Sequence, residues 1–203
     1  IVTVRVISDL VSPPFDNAMV AFHQLHPEVE IRLDIAPWRD VVLSVKDGSA
    51  DIGIACDHLT SPELRYRPLM REQQQLYCGR SHALFGKGPH DPATLAGETF
   101  VLTGEDEPAE LESFRQRYGL GERVGGSAET LYEVKRLIEI GIGIGFLPTV
   151  VAGDAVEAKQ LWPLLRTGIL PTYDVHLITR NAGLGPAARA LLDVIEAHLQ
   201  PDD

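Results

Sequence analysis

The chain has 203 residues, 44% hydrophobic and 23% charged, a globular composition that argues against disorder and against a fibrous protein. Its 18 basic and 29 acidic residues give a net charge of −11, and so acidic a surface makes this chain alone a poor nucleic-acid binder. No apolar run approaches the ~18 residues of a membrane span. Two cysteines, Cys56 and Cys78, cannot form a disulfide framework, so we expect reduced thiols and a cytoplasmic protein.

Short apolar runs alternate with helical patterns in the first quarter of the chain. Ser12 followed by Pro13 is typical of a helix start, and Gly48 is typical of a position just beyond a helix end. The predicted order is strand, helix, strand, helix, strand, over Val2–Ile7, Ser12–Leu25, Val29–Ile35, Pro37–Lys46 and Asp51–Ala55. This βαβαβ order predicts a parallel sheet with helical crossovers.

A long extended segment, Leu64–Cys78, then ends the alternation of short strands and helices. It is longer than one small sheet needs, so we interpret it as a strand that crosses between two lobes. A loop rich in Gly and Pro follows from Ser81 to Pro92.

A second α/β series begins near residue 100. Ser127 is interpreted as the cap of a helix that ends before Gly141. We interpret the acidic run Glu105, Asp106 and Glu107 as charge favoured by a helix dipole, not as paired catalytic carboxylates. The predicted strands cover Phe100–Leu102, Ile142–Leu147 and Tyr173–Thr179, and the other predicted helices cover Pro108–Tyr118 and Gly185–Leu199.

Two lobes of this kind predict a cleft, with a ligand site where the strands end and helix N-termini present free N–H groups. Trp38 and Arg39 are the most informative pair, because a tryptophan can stack on a planar ring while an arginine holds a carboxylate. The alternative is that Trp38 belongs to the core and Arg39 neutralises Asp9 or Asp40. The candidates that follow strands are Ser8, Asp9, Pro37–Arg39, Cys56, Asp57, Thr103, Gly104, Ser127 and Ala128.

No motif in the chain predicts catalysis, a metal or a cofactor. The glycines at 141, 143 and 145 follow a helix and lead into a strand, the reverse of a phosphate-binding loop, and indicate close backbone packing instead. His23 and His26 lack further ligands at metal-site spacing. We found no set of acid, base and nucleophile, so we expect a protein that is not an enzyme, with no cofactor.

Several segments together resemble the effector-binding domain of the LysR-type transcriptional regulators. They occur in the family's order and cover nearly the whole chain. Besides the opening strand and its polar turn, they are Phe22–Val29, Lys46–Ile54, Arg80–Leu84 and Glu139–Pro148.

The resemblance implies a two-lobed α/β fold like the type 2 periplasmic binding proteins, with two Rossmann-like lobes joined by two crossover strands. It divides the chain into residues 1–75 and 175–203 for the first lobe and 76–174 for the second. A small effector would bind in the cleft between the lobes. Its contacts would be Ser8, Asp9, Trp38, Arg39, Thr103, Gly104, Ser127, Ala128 and Phe146.

The chain departs from the family pattern at Asp9 and Trp38, where small hydroxyl residues that hold an anion are common. We therefore expect an effector that is aromatic or carries an amine. The family forms homodimers or homotetramers, in which the first helix, Phe15–Leu25, packs on the partner's Ser127–Ile140 helix. It binds DNA through an N-terminal winged helix-turn-helix domain, which is absent here. We interpret the start at Ile1, not methionine, as loss of that domain or of a signal peptide. The alternative function is an extracytoplasmic solute-binding protein for transport, which shares the fold.

Overall fold

The computed structural model describes residues 1–104 and 107–199, and the chain divides into two compact units. Unit 1 comprises Ile1–Met70 and the chain from Asp174 onward, and unit 2 comprises Arg71–Tyr173. The predicted acidic run at Glu105 and Asp106 lies outside the described residues. Two long strands, Leu64–Gly79 and Thr172–Arg180, carry the chain from one unit to the other, which confirms the two crossover strands.

Unit 1 is built on a sheet in which β1 (Val2–Val6) lies between β2 (Ile31–Ile35) and β3 (Ile52–Ala55), and all three run parallel. The strand β9 (Thr172–Arg180) pairs antiparallel with the other side of β3. This order confirms the predicted βαβαβ start with a returning strand. The elements are β1 (Val2–Val6), α1 (Pro13–Leu25), β2 (Ile31–Ile35), α2 (Trp38–Asp47), β3 (Ile52–Ala55), β4 (Leu64–Gly79), β9 (Thr172–Arg180) and α6 (Pro186–Leu199).

Local sequence explains where these elements start and stop. Helix α1 buries Phe15, Ala18 and Phe22, a spacing of three and four residues that keeps one face towards the core. Helix α2 ends at Gly48, whose φ of 85° is a left-handed conformation that glycine adopts without steric cost. The Asp51 carboxylate accepts a hydrogen bond of 2.9 Å from the Thr3 N–H and ties the approach to β3 to the first strand.

Unit 2 contains a parallel pair, β5 (Thr99–Thr103) and β6 (Arg123–Ala128). In a second group, β4 pairs antiparallel with both β7 (Gly145–Pro148) and β8 (Leu161–Pro163). The helix α5 and the strands β6 and β8 are absent from the sequence prediction. The elements are β5 (Thr99–Thr103), α3 (Ala109–Tyr118), β6 (Arg123–Ala128), α4 (Leu131–Glu139), β7 (Gly145–Pro148), α5 (Thr149–Glu157) and β8 (Leu161–Pro163).

The prediction that Ser127 caps a helix is wrong. Ser127 lies in β6, and α4 begins at Leu131 with Thr130 as its cap, whose side chain accepts from the Glu133 N–H at 3.4 Å. The glycines before Ser127 lie in the same strand and permit close packing. A Cβ at position 125 would lie 2.6 Å from the Thr99 side chain.

A buried polar network in unit 2 joins the ends of β4 and β9. The buried Glu72 accepts a hydrogen bond of 2.8 Å from the Tyr173 hydroxyl, which in turn accepts one of 2.9 Å from the Gln74 amide. Burial raises the pKa of the Glu72 carboxyl, and the bond from Tyr173 offsets part of that rise.

We expect Glu72→Gln to stabilise the chain at neutral pH and to lose that advantage in acid. The pKa of Glu72 is higher in the folded chain than in the unfolded chain, where it is near 4.5. The stability that Glu72 contributes is therefore complete below the unfolded pKa, and it falls as the pH rises through the folded pKa. Glutamine keeps an acceptor for Tyr173 but does not ionise. Thermal unfolding measured between about pH 4 and pH 8 checks this, because the linkage requires the difference in Tm to grow with pH. A pH-independent difference would contradict it.

Candidate functional site

The ends of the parallel strands in unit 1 bring four predicted site residues to one edge of the sheet. Ile7 donates its N–H to Ile54 O at 3.1 Å, and Ala36 donates to Val6 O at 3.0 Å, so the segments after β1 and β2 leave the sheet side by side. Ser8 and Asp9 follow β1, whereas Trp38 and Arg39 begin the helix after β2.

Asp9 occupies an unusual backbone conformation in this group. Its φ is 54°, in the left-handed region that asparagine and aspartate tolerate best after glycine. Ser8 beside it is buried. Asp9 lines a hollow of about 250 Å³, and the other residues that line it are Val6, Ile7, Leu10, Phe15, Asp16, Leu33 and Ile35. The hollow therefore combines apolar walls with two carboxylates.

Trp38 and Arg39 contact each other. The Arg39 guanidinium carbon lies 4.3 Å from the centre of the Trp38 ring, within the range of a cation–π interaction. Trp38 is only 5% exposed, whereas Arg39 is exposed. Truncation of the tryptophan to alanine would cost ~3–5 kcal/mol of stability, so Arg39 is the better position for a functional test.

In unit 2, four predicted site residues lie together at the ends of β5 and β6. Thr103 pairs with Ala128 and Leu102 with Ser127 in the parallel ladder, and Gly104 donates its N–H to Ala128 O at 3.0 Å. A Cβ at Gly104 would lie 2.7 Å from the Glu129 carboxylate, so that carboxylate closes over the glycine.

Phe146 lies in the core of unit 2. It is 5% exposed, and its ring meets the Phe114 ring edge-on with centroids 5.9 Å apart. It belongs to a cluster of buried apolar side chains, Leu76, Cys78, Leu95, Phe100, Leu111, Phe114, Leu120, Ile144, Leu164, Leu165 and Leu170. A role in binding remains a prediction for this residue.

Sequence reasoning missed a group of three polar rings in unit 1. His58 lies 5.6 Å from Tyr66 and 5.8 Å from His176 between ring centroids. The Tyr66 hydroxyl donates to Leu59 O at 2.6 Å, and burial raises the pKa of Tyr66. His176 pairs with Ala55, so the rings lie beside the end of β3, where Cys56 and Asp57 follow. Strand pairing alone brings them together, and no local sequence signal could have shown it.

Across residues 1–104 and 107–199, no cluster of three His, Cys, Asp or Glu side chains is arranged to bind a metal ion. The same residues contain no helix that is long and apolar enough to span a membrane. Cys56 and Cys78 are both buried. Burial raises the pKa of the Cys78 thiol to about 11, so this side chain is protonated and unreactive near neutral pH.

Comparison with known sequences gives one family for nearly the whole chain. Residues 2–200 match the model of the LysR substrate binding domain. The chain is 33% identical over 186 residues to the HTH-type transcriptional activator BauR of Pseudomonas aeruginosa. That alignment covers 88% of this chain but 59% of BauR, so the chain spans less than two thirds of this relative.

Two solved structures have the same fold at low sequence identity. The effector binding domain of QuiR in complex with shikimate superposes with a TM-score of 0.81 at 14% identity, covering 96% of this chain and 94% of that chain. The Synechocystis PCC6803 CcmR regulatory domain in complex with 2-PG gives a TM-score of 0.81 at 17% identity, covering 98% and 97%. These two structures therefore share the α/β fold of this chain. The family match and the similarity to BauR favour a regulator over a transport protein.

Proposed function

This chain belongs to the family of LysR substrate-binding domains, and we propose that it is the effector-sensing part of a DNA-binding transcription factor. The similarity to BauR, a transcriptional activator of the helix-turn-helix type, supports this function. In this proposal DNA is bound by a winged helix-turn-helix segment that is not among these residues. The whole protein acts in the cytoplasm, where a regulator meets its DNA.

The observation that carries the proposal is the arrangement of the strand ends. In each unit, parallel strands stop side by side, and their following residues present hydroxyl, carboxylate and backbone N–H groups at one edge. This is where open α/β sheets bind ligands. The proposed effector contacts are Ser8, Asp9, Trp38 and Arg39 in unit 1, and Thr103, Gly104, Ser127 and Ala128 in unit 2. Phe146, in the core of unit 2, is the remaining proposed contact.

We infer that the effector carries a positively charged amine together with a planar or apolar group. Asp9 supplies a carboxylate in a hollow with apolar walls. The Trp38–Arg39 stack, after the neighbouring strand, offers a flat surface. The QuiR and CcmR structures are complexes with small molecules, shikimate and 2-PG. A ligand that binds one conformation of the protein more tightly than another favours that conformation, and a tenfold preference shifts the equilibrium by ~1.4 kcal/mol.

Asp9→Asn tests the ligand class with little disturbance of the fold, because asparagine also tolerates the left-handed conformation. A thermal-shift screen of aromatic amines, amino acids, aromatic acids and sugars first identifies a ligand. A compound at 100 times its Kd stabilises the folded state by about 2.7 kcal/mol. For an amine we expect Asp9→Asn to raise the Kd at least ~10-fold, because a charge-assisted hydrogen bond is lost. Unchanged amine affinity in calorimetric titration would contradict the role of Asp9.

We further propose that the chain forms head-to-tail homodimers, which pair into tetramers in the whole protein. Apolar side chains are exposed on two separate surfaces. The first surface is on α1, with Val20 and Leu25, and the second is on β6, α4 and the turn after α4, with Val124, Tyr132 and Ile140. An exposed apolar surface of this kind typically marks an interface.

A further inference from the structure

A hollow of about 280 Å³ lies in unit 2, and none of the strand-end residues lines it. Three distant segments of the chain form its walls, namely His90, Asp91, Pro92, Tyr118, Arg166 and Ile169. A hydrogen bond of 2.7 Å from the His90 N–H to Leu164 O fixes two of these segments against each other. The walls of the hollow are therefore held together by backbone hydrogen bonding within unit 2, and they are not formed by a single loop.

One charged side chain in this hollow, Arg166, is exposed and available to a ligand. Among residues 1–104 and 107–199, Arg166 has no ion pair or side-chain hydrogen bond, in a chain whose net charge is −11. His90 Nε2 is enclosed and out of reach of a ligand in the hollow, so it is not part of the proposed site. An arginine that no neighbouring carboxylate pairs with can hold the carboxylate of a ligand.

The rest of the lining favours a flat, apolar body. Tyr118 packs its ring against Phe114 with centroids 4.9 Å apart, which holds the phenol in place. Ile169 is 40% exposed. The volume of about 280 Å³ is close to the lower limit for ligand pockets, ~300 Å³, and suits one ring with a short acidic group.

We propose that this hollow binds an aromatic monocarboxylate as a second ligand site of the chain. Arg166 holds the carboxylate, and the ring lies against Tyr118 and Ile169. Asp91 limits the charge that the site accepts. Its Oδ1 accepts a hydrogen bond of 3.0 Å from the Ala93 N–H, and its negative charge disfavours a second carboxylate on the ligand. The site stands independently of the strand-end effector site.

The test uses 4-fluorophenylacetate as the probe, titrated into the 203-residue chain and followed by its fluorine NMR signal. We expect saturable binding that Arg166→Gln weakens at least ~10-fold, since a charge-assisted contact is lost. The matched control is Arg189→Gln, which removes an exposed arginine from α6 and leaves the hollow unchanged. Absence of saturable binding, or equal affinity in Arg166→Gln and the wild type, would overturn the proposal.

Asp91→Asn, unlike Arg166→Gln, is not expected to weaken binding of the probe. Asparagine still accepts from the Ala93 N–H but carries no charge, so we expect the probe to bind as tightly as to the wild type or more tightly. Weaker binding in this variant would mean that the hollow prefers cations, and the carboxylate site would be rejected. If Arg39→Gln weakens the probe and Arg166→Gln does not, the probe binds at the strand ends. The second site then fails while the proposed function stands.

Discussion

Gly143→Ala is expected to destabilise the chain by about 3 kcal/mol, through a backbone clash inside unit 2. A Cβ at position 143 would lie 2.5 Å from Thr99 O, which cannot move away without disturbing β5. The same oxygen accepts a hydrogen bond of 2.9 Å from the Ile144 N–H, and Ile144 O accepts one of 2.7 Å from Val101. The alanine separates the two segments and loses both bonds.

Thermal unfolding followed by circular dichroism measures the effect, and we expect Tm to fall by about 6–12 °C. Gly153→Ala is the matched control, because Gly153 lies in α5 with no atom within 4 Å of an added Cβ. Alanine there should stabilise the helix by ~0.5–1 kcal/mol. If Gly143→Ala unfolds at the wild-type temperature, the close approach of β5 and the segment before β7 is wrong.

Val20→Asp and Tyr132→Asp are each expected to convert the proposed homodimer into monomers. Val20 is 59% exposed on α1 and Tyr132 is 63% exposed on α4, so neither substitution removes a core contact. In a head-to-tail dimer each interface occurs twice, and one substitution therefore places two charges in apolar contacts. We expect the dimer Kd to rise at least ~100-fold, measured by sedimentation equilibrium. Val150→Asp, on α5, introduces the same charge at a comparably exposed valine and should leave the Kd unchanged.

A mixture of the two variants distinguishes head-to-tail pairing from pairing of like surfaces. In the mixed dimer, the intact α1 of the Tyr132→Asp chain meets the intact α4 of the Val20→Asp chain, so one of the two interfaces is restored. We expect the mixture to dimerise where each variant alone does not. If the mixture stays monomeric while the wild type is dimeric, the head-to-tail arrangement is contradicted.

Periodicity and turn residues were sufficient to predict the α/β order of unit 1. The alternation in Val2–Val6 and the buried stripe of Phe15, Ala18 and Phe22 are local patterns, and each matches one period of strand or helix. Ser127 shows where this reasoning fails. From sequence, Ser127 is interpreted as a helix cap, but Gly125 is required by close packing against Thr99, and the helix cap lies three residues later at Thr130.

The elements that the sequence did not predict depend on tertiary contacts. Helix α5 contains Thr149, Val150, Val151 and Gly153, which are weak helix formers, and it buries only Ala152 and Ala155. Strand β8 has three residues and exists because it pairs with the end of β4. Such elements have too little local preference to be recognised before the fold is known.

The candidate site was predictable to the extent that topology determines it. Parallel strands must end at one edge, so the position of Ser8 and Asp9 at the same edge as Trp38 follows from the predicted order of unit 1. Arg39 stacks on Trp38, and a role of this pair in ligand binding stays a prediction. The rings of His58, Tyr66 and His176 meet because β9 pairs with β3, which no spacing along the chain reveals.

The central proposal, that the effector binds at the strand ends, is tested most directly by calorimetric titration of one ligand from the thermal-shift screen into three proteins. These are the wild type, Arg39→Gln in unit 1 and Ser127→Ala in unit 2, both at exposed positions where the fold tolerates change. We predict a Kd raised ~10-fold or more by Arg39→Gln and ~3-fold or more by Ser127→Ala. Wild-type affinity in either variant would mean that the strand ends that carry the substitution do not contact the ligand, and would contradict the proposal.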